Sequence, residues 1–139
     1  MSCGPELLHH FRGHKDGVTA VDMNPRVKEV VSASRDGTIV VWNWNQEKKA
    51  YKFSGHTGPC LDVRFSRSGH LMASASADRT IRLWQPNNQL GDSVALTGHS
   101  GPVNSLDFSP DNLRLASGGD DKTVRLWTIG QVRREEKRR

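Results

Sequence analysis

Ser74-Ala75-Ser76-Ala77-Asp78-Arg79-Thr80-Ile81-Arg82-Leu83-Trp84 decides the fold, because the chain writes it twice more in one register. Each copy places a serine ten residues and an aspartate six residues before a tryptophan: Ser32, Asp36 and Trp42; Ser74, Asp78 and Trp84; Ser117, Asp121 and Trp127. A Gly-His pair opens each copy, with its histidine 28 residues before the tryptophan, at His14, His56 and His99. The step from one tryptophan to the next is 42 and then 43 residues, a period that fits a repeating unit of four short strands.

Within the unit the apolar pattern is that of β structure. Thr80-Ile81-Arg82-Leu83-Trp84 and Thr123-Val124-Arg125-Leu126-Trp127 alternate apolar and polar residues, and Thr38-Ile39-Val40-Val41-Trp42 differs only by a valine in place of the outward arginine. Three apolar columns lie earlier in the unit: Val18, Cys60 and Val103; Val21, Val63 and Leu106; Met23, Phe65 and Phe108. They describe a first strand with one buried face. Turn-forming residues follow, Ser66-Arg67-Ser68-Gly69 and Ser109-Pro110-Asp111-Asn112, with a weaker Asn24-Pro25-Arg26-Val27 in the first copy. Small residues then mark an inner strand, as in Leu71-Met72-Ala73-Ser74-Ala75-Ser76. Lys49-Ala50-Tyr51-Lys52-Phe53 and Val94-Ala95-Leu96 supply a fourth strand to the first two units. No such strand follows Trp127, but a matching one, Glu6-Leu7-Leu8-His9-His10-Phe11, precedes Gly13-His14.

Serine, histidine and aspartate are the parts of an acyl-transfer triad. A triad is one constellation in one cleft, whereas this set occurs once per structural unit. A hydrogen-bonded network explains the repetition better: a buried indole N–H, imidazole, hydroxyl and carboxylate satisfy one another and pin a turn to the loop that opens the unit. Losing one member of such a network costs on the order of 1–3 kcal/mol.

On Gly13-His14, Gly55-His56 and Gly98-His99, and on Ser-x-Ser-x-Asp at Ser32 to Asp36 and Ser74 to Asp78, the chain resembles the WD-repeat β-propellers. The resemblance covers residues 6–129. The dipeptides that close the repeats, Trp42-Asn43, Trp84-Gln85 and Trp127-Thr128, depart from the family's signature. Lys49 to His56, Ser68 to Ser76 and Arg82 to Asn87 are similar to the first blades of centriole and basal-body members. The resemblance implies an all-β chain of three antiparallel blades within residues 1–129, at about 12–54, 55–97 and 98–129. The third lacks its own outer strand, and a basic tail occupies 130–139. It implies a non-enzymatic protein-interaction scaffold in centriole, basal-body or ciliary assembly, with other proteins, microtubule-associated ones among them, as partners. It also implies contact positions on one rigid face: Gly17, Thr19 and Arg35; Pro59, Leu61 and Ala77; Pro102, Asn104 and Asp120. The set around Leu61 is apolar where exposure is expected, which marks an interaction site; the alternative is that these loops pack on an adjoining blade.

Propellers hold about four to eight blades. Three therefore leave an apolar face uncovered at each end, so the chain is either a truncated form of a longer propeller or closes by association. In the second case residues 6–11 of one chain complete the third blade of another, and two chains make a six-bladed ring.

The formal charge is +5, of which Arg133 to Arg139 carry +3 with five basic and two acidic side chains. Such a tail is either a solvated terminus or an attractor of acidic surfaces. A second function class follows from it, a basic module that binds nucleic acid or chromatin through the tail and through outward arginines such as Arg82 and Arg125; other proteins are the expected partners and nucleic acid is not, and salt-sensitive binding to nucleic acid would favour the second class. Of two cysteines, Cys3 lies near the terminus and Cys60 at a core position, which suits a reducing compartment. With no apolar segment for a signal peptide or membrane span, the sequence points to cytoplasm or nucleus. Three of the six histidines open repeats and His9-His10 alternate faces, so neither a metal site nor any other cofactor site is expected.

Overall fold

A computed structural model describes residues 4–45, 49–88 and 91–130; the basic tail from Arg133 to Arg139 lies outside them. The described residues form eleven strands in three antiparallel sheets. The first sheet runs β1 (Val18–Met23), β2 (Glu29–Ser34), β3 (Thr38–Asn43) and β4 (Tyr51–Ser54), in that order. The second runs β5 (Cys60–Phe65), β6 (Met72–Ser76), β7 (Ile81–Trp84) and β8 (Ser93–Leu96). The third holds β9 (Val103–Phe108), β10 (Arg114–Gly119) and β11 (Val124–Thr128), and among the described residues it has three strands. Sequential order within each sheet follows from short connections between neighbouring strands. The turn from second to third strand needs a left-handed residue, supplied by Gly37 (φ 85°) in the first blade but by Arg79 (φ 74°) and Lys122 (φ 67°) in the others.

The sheets stack face to face. Val31, Ala33, Ile39, Val41 and Phe53 of the first pack on Cys60, Val63, Phe65, Met72 and Trp84 of the second in one apolar cluster. Ala73, Ala75, Ile81 and Leu83 on the second sheet's opposite face pack on Val103, Leu106, Phe108 and Leu115. Each fully buried Val, Leu, Ile or Phe contributes about 1.5–3 kcal/mol. β6 lies between two neighbours, all five of its residues are buried, and four of them are alanine or serine. Bulkier side chains there would hold the sheets apart.

One expectation holds for the second and third blades alone, and another needs correction. Val18, Val21 and Met23 occupy the columns of a buried face, yet Val21 is 62% exposed where Val63 is 0% and Leu106 4%. The pattern is shared; what differs is that, among the described residues, no sheet packs on that face of the first one. Residues 6–11, expected to be a strand, are not in a strand here. A strand requires an edge to pair with, and the open edge, β11, belongs to the far blade. Phe11 instead stacks on Trp42 with ring centroids 5.2 Å apart.

Candidate functional site

The first strand of every blade carries the same irregularity. Pairing slips between Val18 and Ala20 in β1, between Cys60 and Asp62 in β5, and opposite Gly118 and Gly119 in β9, so Thr19, Leu61 and Asn104 are each the extra residue of a β-bulge. A bulge bends the strand and re-aims the extra side chain. Beside each bulge a backbone bond closes the loop: Arg35 N–H donates to Gly17 O at 3.0 Å, Ala77 to Pro59 at 2.9 Å and Asp120 to Pro102 at 2.8 Å. All nine positions named as contacts therefore fall at one end of the three blades, on a backbone held the same way each time. Their side chains differ. Thr19 Oγ1 donates to Cys60 O of the next blade at 2.6 Å, and Asn104 Nδ2 donates to Asp120 Oδ1 at 2.6 Å. Arg35 and Pro59 are exposed, and Leu61 and Ala77 are half-buried.

Behind this surface stand the three polar sets. In the second blade Trp84 Nε1 donates to Ser74 Oγ at 2.8 Å, Ser74 Oγ meets His56 Nε2 at 2.7 Å, and His56 Nδ1 meets Asp78 Oδ2 at 2.9 Å. The third blade repeats these contacts through Trp127, Ser117, His99 and Asp121 at 2.9, 2.8 and 2.9 Å. In the first, Trp42 to Ser32 is 2.8 Å and Ser32 to His14 is 2.6 Å, but His14 Nδ1 stands 3.5 Å from Asp36. Among the described residues, that looser set belongs to the blade whose leading side no other sheet covers. Every atom is satisfied when the histidine carries its proton on Nδ1, gives it to the aspartate, and accepts the serine proton on Nε2.

A fifth member went unread in the sequence. Thr38, Thr80 and Thr123 each donate a hydroxyl proton to Oδ1 of the aspartate two residues earlier, at 2.5, 2.6 and 2.7 Å, and each aspartate also accepts the threonine's backbone N–H. Its signal was available, since threonine follows every repeat aspartate at the same spacing. The second carboxylate oxygen accepts the amide after the histidine, from Lys15, Thr57 and Ser100. These bonds hold the carboxylates ionised. Burial pushes Asp78 up, but the Thr80 hydroxyl, the His56 ring and the two amides outweigh it and bring its pKa down to about 2. Burial likewise opposes, and the Thr38 and Lys15 donors overcome, in lowering Asp36; Asp121 is lowered chiefly by the Thr123 hydroxyl. Burial lowers His56 against the pull of Asp78.

The order Ser–His–Asp reproduces the contacts of an acyl-transfer triad, but the serines are sealed. Ser32, Ser74 and Ser117 are 4%, 0% and 2% exposed, and the indole N–H already occupies each hydroxyl oxygen. A carbonyl carbon has no path to them. Two of the glycines before the histidines share a cause: a Cβ on Gly13 would lie 2.9 Å from Trp42 Cη2, and one on Gly55 3.0 Å from Trp84 Cη2, whereas Gly98 takes a φ of 148°. Cys60 is buried, and burial pushes its thiol up to about 12, which leaves it unreactive. The arginines read as outward are not free. Arg82 lies over Gly55 and its Nη1 donates to Ser93 Oγ at 2.8 Å, and Arg125 lies over Gly98. Among the described residues no group of acidic, His or Cys side chains is placed to hold a metal ion, and no helix is long and apolar enough to cross a membrane.

The family model described as "WD domain, G-beta repeat" matches residues 5–43, 47–85 and 92–128. Nuclear distribution protein PAC1 of Arthroderma benhamiae is 39% identical over 83 residues, 58% of this chain and 18% of that protein. Nuclear distribution protein nudF of Aspergillus niger is 38% identical over 81 residues, 57% of this chain and 18% of that protein. POC1 centriolar protein homolog B of Xenopus laevis is 45% identical over 49 residues, 35% of this chain and 10% of its own length. The matched segments thus span less than a fifth of each of these relatives.

Proposed function

Because the chain belongs to the WD domain, G-beta repeat family, we propose that it is a non-enzymatic scaffold that binds other proteins through the bulged end of its blades. The observation that carries this reading is the row Thr19, Leu61 and Asn104: three extra residues at equivalent places on a backbone that the polar sets immobilise. Leu61, half-buried beside the exposed Pro59 and the half-buried Ala77, is the apolar centre of the contact, with Arg35 and Asp120 as flanking charges. The setting we propose is centriole, basal-body or ciliary assembly in the cytoplasm, supported by the likeness to the POC1 homologues. The nucleic-acid reading is weakened, because Arg82 bonds Ser93 and Arg125 is half-buried over Gly98.

A tagged chain in ciliated cells tests this. The wild type is expected to concentrate at centrioles, and Leu61→Asp to become diffuse while the purified variant keeps its cooperative unfolding. A diffuse wild type overturns the setting. A Leu61→Asp protein that unfolds makes Leu61 a core residue and removes the proposed contact.

A further inference from the structure

The turns that join the second and third strands of each blade stand at the bulged end, because Val18, Cys60 and Val103 pair with Ser34, Ser76 and Gly119. One backbone bond closes all three turns: Gly37 N–H donates to Ser34 O at 3.1 Å, Arg79 N–H to Ser76 O at 3.2 Å and Lys122 N–H to Gly119 O at 3.2 Å. The donor residue is left-handed each time, with φ of 85°, 74° and 67°. Gly37 shows what the backbone alone requires. An arginine and a lysine in that conformation carry a steric cost that glycine does not, and strained positions of this kind cluster where ligands are met.

Among the described residues, no bond within the fold offsets that cost. Both side chains are exposed, and neither the Arg79 guanidinium nor the Lys122 ammonium meets a hydrogen-bond acceptor or an acidic group. The carboxylates at the same end are already engaged. Asp36, Asp78 and Asp121 accept from their threonines and from the amides after the histidines, Asp16 accepts the Gly17 N–H, and Asp120 accepts from Asn104. Two equivalent turns in adjoining blades therefore hold out cations whose donors are all available to another molecule. In the blade that carries Arg79, the exposed Pro59 and the half-buried Leu61 and Ala77 stand at the same end.

Resting on the scaffold role proposed above, we infer that Arg79 and Lys122 determine the specificity of the contact, and that the partner segment is an acidic peptide that sets a carboxylate against each cation and an apolar side chain against Leu61. Complementary charge at an exposed rim selects partners more than it tightens them. A continuous polyanion such as a nucleic-acid strand fits this end poorly. Asp16 and Asp120 are exposed here as well, and the repeat aspartates behind them are held ionised. A strand with charge on every unit meets like charge beside the two cations, whereas a peptide can leave those places neutral.

Fluorescence anisotropy on the full chain tests the inference with three labelled probes: a peptide of repeated Ser-Glu-Leu-Glu units, the same peptide with glutamine for glutamate, and a single-stranded oligonucleotide of equal charge. The glutamate peptide is expected to bind and to outcompete the other two. Arg79→Gly with Lys122→Gly should weaken it on the order of tenfold, as the loss of two surface ion pairs allows, while the thermal midpoint rises. Arg26→Ser with Arg67→Ser removes as much charge from exposed places in the turns at the opposite end, and should leave the affinity unchanged. The basic tail is present in every variant, so binding through it would survive the loss of Arg79 and Lys122. That survival, equal weakening by the two pairs of substitutions, a wild type that ignores the glutamate peptide or prefers the oligonucleotide, or a lowered midpoint in the glycine variant overturns the inference. If the affinity ignores Arg79 and Lys122 while the tagged chain still concentrates at centrioles through Leu61, the scaffold role stands and this inference alone falls.

Discussion

Trp84 Nε1 donates to Ser74 Oγ at 2.8 Å, and both side chains are out of reach of water. The hydroxyl passes its own proton on to His56. Ser74→Ala therefore orphans an indole N–H and an imidazole nitrogen at once, and should lower stability by roughly 1–3 kcal/mol. Ser117→Ala should cost less, because Trp127 is partly exposed and water can replace the lost partner. Urea denaturation of both variants checks the order.

Gly55→Ala should destabilise by about 1–3 kcal/mol, the range for overpacking a fixed core. The new methyl group meets Trp84 Cη2 at 3.0 Å, and the indole cannot retreat while its N–H is held by Ser74. The same measurement on Gly55→Ala with Ser74→Ala should show a combined loss smaller than the sum, since the freed ring can then move.

Arg79 and Lys122 hold the left-handed place that Gly37 fills in the first blade. Arg79→Gly and Lys122→Gly should each raise stability by up to about 1 kcal/mol, as the relief of strain exceeds the added freedom of the unfolded chain. Gly37→Ala should lower it, because the backbone stays left-handed and the new Cβ meets Gly58 O at 3.2 Å. Thermal midpoints of the three variants should bracket the wild type.

Acid should weaken the fold in two stages. His56 has a lowered pKa when folded, so at intermediate pH the unfolded chain binds more protons; its contribution is complete above 6.5 and is lost as pH falls below that value. Asp36, Asp78 and Asp121 are also lowered, so their contribution is complete above 3.8 and is lost as pH falls through 3.8 towards about 2 for Asp78. Urea midpoints at pH 7.5, 5 and 3 should descend in that order, and a flat profile would contradict the bonding of the carboxylates.

Much of this architecture was legible because it is written in residue types that have few other uses in a strand. Tryptophan, serine, aspartate and histidine at constant offsets led directly to the contacts His56–Ser74–Trp84 and His56–Asp78. The bulges were written less openly. The apolar columns fall three and then two residues apart, as in Cys60, Val63 and Phe65, and a strand that steps by three has one residue too many. Arg82 was misjudged because alternation gives the face on which a side chain emerges but not what covers it; here the Gly55 loop does. Val21 and Met23 make the complementary point, that a sequence repeat describes a face and only a neighbouring sheet buries it.

The bulges at Thr19, Leu61 and Asn104 are spaced by the stacking of the sheets, and stacking distance is set by the alanines and serines of the inner strands. A molecule that touches all three must match that pitch as well as their chemistry. Partner choice is then partly a matter of ruler length: substituting a larger residue at Ala73 or Ala75, far from any surface, would change the gauge on which recognition is measured.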